Sequence, residues 1–345
     1  MRQAYLTGPG RFEVREAPEP GEIGPDEAVV RLKAIGVCGS DMHYFTEGRI
    51  GSQVVEYPFT IGHECAGVVE RVGPAVGRVA VGDRVTVDPA MPCGACEWCR
   101  KGRENICPQM RFLGCPGQVE GAYKELLVMP EGSLFRLPET LTFDDGVVLE
   151  PAAICAYAVA QSGLAPDETM AVLGCGPMGL LTLACARASG RRRVFASELV
   201  PERVEAAQRL GADVALNRNE TDVVQSVLDA TDGRGVDVVF ECAGEQDTLD
   251  QAVQIVAPGG RISILGIPST PRVELVADLM RRKELLIINV RRQNGMVERT
   301  IELAASGAVP VAELVTHHFP LERVGKAFEL VAGYRDGVLK AIIEP

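Results

Sequence analysis

The chain has 345 residues, 46% hydrophobic and 24% charged, with a formal net charge of −12. That length is too great for one compact core and suits two domains, and the composition is that of an ordinary globular protein, not a disordered or fibrous one. The negative charge opposes binding to phosphate backbones and anionic lipid, so neither nucleic-acid nor membrane partners are expected. The basic clusters Arg191-Arg192-Arg193 and Arg281-Arg282-Lys283 are short, sit among acids and read as solvated faces.

The opening MRQAYLTGPGRFEVRE has no apolar signal-peptide core. Residues up to about Glu150 are strand-rich, with short runs at Ala28–Ile35, His63–Val72, Arg84–Val87 and Ala122–Val128 separated by Gly, Pro and Asp. They suggest a small irregular β-barrel with long loops. After Pro151 the pattern becomes strand–helix alternation. Strands are expected at Met170–Gly174, Val194–Ser197, near Val214, and at Val236–Phe240, Arg261–Leu265 and Leu285–Val290. The intervening helices are expected at Met178–Ser189, Pro201–Leu210, Val223–Ala230 and Leu249–Val256. This alternation predicts an α/β fold with a doubly wound parallel sheet. The tail predicts helices at Val297–Ser306 and Arg323–Val331 and an apolar strand, Leu339–Ile343, that returns to the first domain. The stretch Thr169–Ala186 carries no charge, but Gly174, Gly176, Pro177 and Gly179 make it strand, turn and helix, not a membrane span. A cytoplasmic protein is expected.

Gly174-Cys175-Gly176-Pro177-Met178-Gly179 fits G-x-G-x-x-G, follows the strand MAVLG and opens a helix. In that context the first glycine permits the turn, the second admits a pyrophosphate and the third lets helix pack on strand. Glu198 closes the next strand, where an acid accepts hydrogen bonds from the adenosine ribose and repels a 2′-phosphate. NAD is therefore favoured over NADP.

Eleven cysteines are present, four of them at Cys93, Cys96, Cys99 and Cys107. Four thiolates on one loop favour a metal over a disulfide framework, and a closed tetrahedral zinc site over the iron–sulfur alternative. A second, scattered set comprises Cys38, His63, Glu64 and Glu150. Three or four such ligands with one exchangeable position would make a catalytic zinc site, but spacing leaves their convergence open. Cys65, Cys115, Cys155, Cys175, Cys185 and Cys242 read as small buried side chains, and His317 and His318 as structural.

Gly62-His63-Glu64-Cys65-Ala66-Gly67, followed by Gly73 and Val76, matches the zinc alcohol dehydrogenase signature. The run Cys38-Gly39-Ser40-Asp41-Met42-His43-Tyr44, then Gly48-Arg49-Ile50-Gly51, resembles sorbitol and xylitol dehydrogenases. With the four-cysteine lobe, the dinucleotide turn, Glu241-Cys242-Ala243-Gly244 and Val315-Thr316-His317 in the same order, nearly the whole chain resembles the polyol branch of the medium-chain dehydrogenase superfamily. The resemblance implies a GroES-like β-barrel catalytic domain at 1–152, completed by 289–345, around a Rossmann domain at 153–288, assembled as a homotetramer. It assigns Cys38, His63 and Glu64 to the catalytic zinc, with Glu150 binding directly or through water, and implies cofactor contacts at Pro177, Met178, Arg203 and Leu265. Ser40 matches the relay hydroxyl, with a helix N-cap as its plainer role, and His43 is the next proton station. Asp41 is expected to orient His63, and Tyr44 to line the substrate pocket. Arg291 matches an arginine that contacts polyol hydroxyls. Arg292 stands where sorbitol dehydrogenases usually carry tyrosine, and so admits a sugar acid as substrate. The implied activity is hydride transfer from a secondary alcohol of a polyol to NAD. Threonine and butanediol dehydrogenases are the nearest rivals. A silent NAD-binding protein would have lost ligands that are present here, and a zinc-ribbon nucleic-acid binder conflicts with the charge.

Overall fold

The structure, a computed structural model, describes residues 1–190, 193–268 and 270–345. Arg191 and Arg192 of the first basic cluster lie outside the described residues. The chain divides into two compact units, one of Met1–Glu150, Val297–Ala305 and Val311–Pro345, the other of Pro151–Met296 and Ser306–Pro310. Among the described residues, no helix is long and apolar enough to cross a membrane.

The first unit is built on a seven-stranded sheet centred on Glu27–Gly36. That strand pairs antiparallel with Cys65–Val72, Leu126–Pro130 and the C-terminal Lys340–Glu344. Arg84–Val87 and Leu134–Arg136 extend the sheet on one side. Val315–Pro320, absent from the expected strands, runs parallel to Lys340–Glu344 on the other. Alternate residues Ala28, Val30 and Leu32 enter a core with Val69, Val85 and Leu127. The rings of Phe12, Phe45, Tyr123 and Phe328 lie in mutual contact within it, their centroids 4.9–6.1 Å apart. Burying each ring stabilises by about 1.5–3 kcal/mol. Phe45 thereby pins the helix Gly39–Glu47, whose first turn follows Cys38.

Two expected strands are displaced, and both displacements shape the site. In the Ala122–Val128 run the continuous strand begins only at Leu126, with Lys124 making an isolated bridge to Gln3. The backbone N–H of Gly121 donates instead to the Thr60 carbonyl (2.6 Å) and that of Ala122 to Gly62 (2.9 Å). The strand expected from His63 starts at Cys65, which leaves His63 and Glu64 on the loop that those bonds clamp. The helix Phe143–Ser162 was not foreseen. It is buried on most of its faces and contains Pro151, so no 3.6-residue polar stripe marks it. A capping box starts it: the Thr142 hydroxyl accepts from the Asp145 N–H (3.1 Å), and the Asp145 carboxylate accepts from the Thr142 N–H (2.7 Å).

The second unit is a six-stranded sheet, parallel throughout. Numbered along the chain, its strands lie in the order 3-2-1-4-5-6, the doubly wound arrangement of dinucleotide-binding folds. They are Met170–Leu173, Val194–Glu198, Val214–Asn217, Val236–Glu241, Val256–Ile264 and Leu286–Asn289. The runs MAVL and VFASE are buried at every residue, as both faces of a parallel sheet require. The Arg281 and Arg282 guanidinium groups pair with Asp278 at 3.2 and 2.7 Å, a solvated face.

Candidate metal and dinucleotide sites

The four-cysteine lobe brings its sulfurs together without a disulfide. Cys93 to Cys99 is 3.9 Å, Cys96 to Cys99 3.4 Å, Cys96 to Cys107 3.9 Å and Cys93 to Cys107 3.5 Å. Ligands on a tetrahedron with metal–sulfur bonds of about 2.3 Å lie about 3.8 Å apart, so the set fits one zinc ion. The backbone N–H groups of Ala95 and Cys96 pull the Cys93 thiol down to about 6, whereas burial pushes Cys99 up to about 12. A cation must therefore displace protons to complete the site, and its binding free energy becomes folding free energy of the lobe. Replacing Cys96 with serine should halve the zinc content of the purified protein, from two ions per chain to one, and hasten protease cleavage within 93–107. Unchanged metal counts would remove the lobe as a zinc site.

The scattered set converges in part. Donor atoms of Cys38, His63 and Glu64 lie within 4.8 Å of one another, with His63 and Glu64 buried. Cys38 is the N-cap residue of the helix Gly39–Glu47 and makes no side-chain capping bond, so its thiol faces the site. Glu64 occupies space that Gly36 leaves: a Cβ there would meet the Glu64 Oε2 at 2.3 Å. Asp41, fully buried, places Oδ1 3.4 Å from His63 Nδ1, which leaves Nε2 for the metal side. Glu150 is buried nearby but is not part of the three-residue group. Burial, reinforced by the Glu64 charge, pushes its carboxyl up to about 8, against the pull of His63 and Lys340.

Sequence reasoning missed the partner of Glu64. Lys340, 2% exposed, donates to both Glu64 oxygens at 2.9 and 2.6 Å and to the Val37 carbonyl at 3.2 Å. Burial lowers the Lys340 pKa, but the charges of Glu64 and Cys38 outweigh it and hold the ammonium protonated. A lone lysine in an otherwise apolar inner strand was the available signal, because such residues stay buried only when paired. Burial also opposes protonation of His63, yet Asp41 and Cys38 raise its pKa well above the usual value. A thiolate, an imidazole and a carboxylate brought to one point suit zinc, which would take the place of the proton on the His63 ring.

The remaining expected residues sit as follows. Ser40 is inside the helix rather than at its N-cap, and its Oγ donates to Cys38 Sγ at 3.2 Å. The His43 ring is partly exposed, with Nδ1 3.4 Å from Glu47 Oε1. Tyr44 is buried, its hydroxyl donating to Gln53 Oε1 at 3.2 Å. The His317 ring lies 3.3 Å from Asp336, and the His318 ring 3.2 Å from Asp144 and 3.0 Å from Glu344, so both make hydrogen-bonding contacts outside the metal set. Arg291 and Arg292 follow the last strand of the second unit, Arg292 with a left-handed φ of 54°.

In that second unit the turn after Met170–Leu173 has Gly174 at φ 90°, and a Cβ on Gly179 would meet the Gly174 carbonyl oxygen at 1.9 Å. Both positions need glycine, as the dinucleotide fingerprint requires. Pro177 opens the following helix, and Gly176 is its uncapped N-cap. Its first N–H groups are thus left for a phosphate. Glu198 accepts from Cys175 N (2.8 Å) through Oε2 and from Leu199 N (2.6 Å) and Val200 N (3.2 Å) through Oε1. The Arg203 guanidinium approaches the position a Gly176 Cβ would take, at 3.7 Å, and the Leu265 N–H donates to the Glu241 carbonyl at 2.8 Å.

Residues 24–139 match the alcohol dehydrogenase GroES-like domain, and residues 177–306 match the zinc-binding dehydrogenase family. The sorbitol dehydrogenase of Bacillus subtilis is 37% identical over 100% of this chain and 97% of its own. An Escherichia coli oxidoreductase of unknown specificity superposes with a TM-score of 0.94 at 31% identity, covering 99% of this chain and 98% of that one. A zinc-binding dehydrogenase from Sinorhizobium meliloti, bound to NADP, does so with a TM-score of 0.91 at 31% identity, covering 100% and 99%. With its GroES-like unit, its parallel Rossmann sheet, its four-cysteine zinc site and its Cys/His/Glu site, the chain belongs to the zinc-dependent alcohol dehydrogenases of the medium-chain superfamily.

Proposed function

We propose that the enzyme oxidises a secondary alcohol of a polyol to the ketose or ketone, with NAD as hydride acceptor. The observation that carries the reaction is the convergence of Cys38, His63 and Glu64 on one point. The polyol assignment is supported by the run Cys38–Tyr44 and by the 37% identity to a sorbitol dehydrogenase. NAD is supported by Glu198, whose carboxylate at the end of the second strand would repel a 2′-phosphate. NADP is the second reading, because a relative at 31% identity binds it.

A zinc ion held by Cys38, His63 and Glu64 would supply a positive charge that favours ionisation of the substrate hydroxyl, and NAD on the Rossmann sheet would take the hydride. The protein's part is to hold these groups and move the proton. Asp41 fixes the His63 ring through Nδ1, and Lys340 holds the Glu64 carboxylate. Ser40 Oγ receives the substrate proton, and the His43 ring, partly open to water, passes it on. Glu150, buried beside His63 and Glu64, can hold a water or a substrate hydroxyl. The family resemblance supports polyol contacts for Tyr44 and for Arg291, and Arg292 favours a substrate with an acidic group. Arg203 and Leu265 take up the cofactor with the 174–179 turn. A cytoplasmic homotetramer is part of the same reading.

The test is initial rates of NAD and NADP reduction on sorbitol, xylitol, galactitol, threonine and 2,3-butanediol, before and after chelation. A polyol should give the highest kcat/KM, NAD should exceed NADP by at least about tenfold, and chelation should abolish turnover. Threonine or butanediol leading the panel would replace the polyol assignment.

A further inference from the structure

We propose that Glu241, buried where three loops of the dinucleotide crevice meet, is the positioning residue for the nicotinamide half of the cofactor. This rests on the dinucleotide reading above. Glu241 ends the fourth strand of the parallel sheet and lies in register with Leu173 of the first and Ile264 of the fifth. Ligands of such sheets bind beyond the C-terminal strand ends, one half of the dinucleotide over strands 1–3 and the other over strands 4–6. Glu198 closes a strand of the first half and Glu241 one of the second.

The Glu241 side chain is fully buried. Its Oε1 accepts from Ala243 N (2.9 Å), Gly244 N (2.8 Å) and the Thr248 hydroxyl (2.8 Å), and its backbone carbonyl accepts from Leu265 N (2.8 Å) and Gly266 N (3.1 Å). One residue thus fixes the loops after the fourth and fifth strands and the first turn of the helix Gln246–Ile255.

Those loops touch each other without slack. A Cβ on Gly174, the first glycine of the dinucleotide turn, would stand 2.9 Å from Ala243 Cβ. One on Gly266 would stand 2.2 Å from Gly244 N and 2.6 Å from Glu241 Oε2, and one on Gly244 would stand 2.6 Å from the Ile267 carbonyl oxygen. A shift of Ala243–Gly244 is therefore transmitted to the turn that seats the pyrophosphate and to Leu265–Gly266. The second carboxyl oxygen, Oε2, is buried with no hydrogen-bond partner. Leaving it so costs stability, which a residue kept for packing alone would avoid by being apolar. Being buried, Glu241 does not touch the cofactor. It sets the loop that does.

The experiment is calorimetric titration of the intact enzyme with 5′-AMP and with NADH, for wild type, Glu241→Ala, Glu241→Gln and Thr248→Val. In Glu241→Ala three donors lose their acceptor, so NADH should bind at least about tenfold more weakly while the 5′-AMP Kd stays within about twofold. Glu241→Gln keeps an amide oxygen for all three donors and should restore NADH binding to within about threefold. Thr248→Val removes one donor and should fall between, which keeps the test decisive if Glu241→Ala does not fold. Equal NADH affinity in Glu241→Ala or Thr248→Val and wild type overturns the inference, as does equal weakening of NADH and 5′-AMP, the mark of general disruption. Wild type binding neither ligand sinks the dinucleotide reading itself, and this inference with it.

Discussion

Cys38→Ser is expected to reduce turnover at least ~1000-fold, lower the zinc content from two ions per chain to one, and leave NADH affinity within about twofold. The magnitude follows from charge. A cysteine thiol can become a thiolate ligand, whereas a serine hydroxyl remains neutral at the same pH and is a poor zinc donor. Losing a Lewis-acid centre removes several kcal/mol of stabilisation, and each 1.36 kcal/mol is about tenfold in rate. Local geometry adds to the loss, because Ser40 Oγ donates to the Cys38 sulfur at 3.2 Å and that bond orients the proposed proton relay. NADH affinity should survive because the dinucleotide turn at 174–179 belongs to the second unit, while Cys38 belongs to the first. Metal counting, steady-state rates and NADH fluorescence titration separate the three effects. A variant that retains both ions and wild-type kcat would exclude Cys38 from the metal site.

What was legible in the sequence was what is local. The four cysteines of the zinc lobe fall within a single loop, and their sulfurs end within one tetrahedron of each other. The dinucleotide turn was readable because strand, glycine turn and helix follow one another directly. The helix Phe143–Ser162 was not, since periodicity reports a helix only when one face meets water. The displaced strand near Ala122 depends on hydrogen bonds to Thr60 and Gly62, which no local pattern records. Convergence of Cys38 with the His63-Glu64 pair came from family resemblance and not from spacing. The lysine that holds Glu64 lies 276 residues away from it, on a strand whose apolar character suggested only packing. Glu241 was quoted as part of a motif, but its role depends on loops from three strands. Charges paired across long stretches of chain were the hardest to read, because neither partner carries a local sign of the other.

That distant pair gives the largest expected effect on stability. In protein stripped of zinc, Lys340→Met keeps most of the side-chain length but strands the Glu64 carboxylate, 0% exposed, without a cation. The Glu64 Oε2 fills the space over Gly36, where a Cβ would stand 2.3 Å from it and 2.6 Å from Val147 Cγ1. Breaking a buried ion pair by removing one partner costs about 3–5 kcal/mol, more than most single substitutions. In a unit of this size that lowers the thermal midpoint by on the order of 10 °C. If the cost is the uncompensated charge and not lost packing, Glu64→Gln in the Lys340→Met background should recover much of it, since a neutral amide there no longer needs a counter-ion. Differential scanning calorimetry of zinc-stripped wild type, the two single variants and the double variant measures that coupling. A Lys340→Met protein that melts with wild type would mean that the ion pair contributes nothing, and a double variant no more stable than Lys340→Met would assign the loss to packing. With coupling present, Lys340 is the residue by which the last strand of the chain holds in place a carboxylate of the metal site, and the C-terminal strand becomes part of that site.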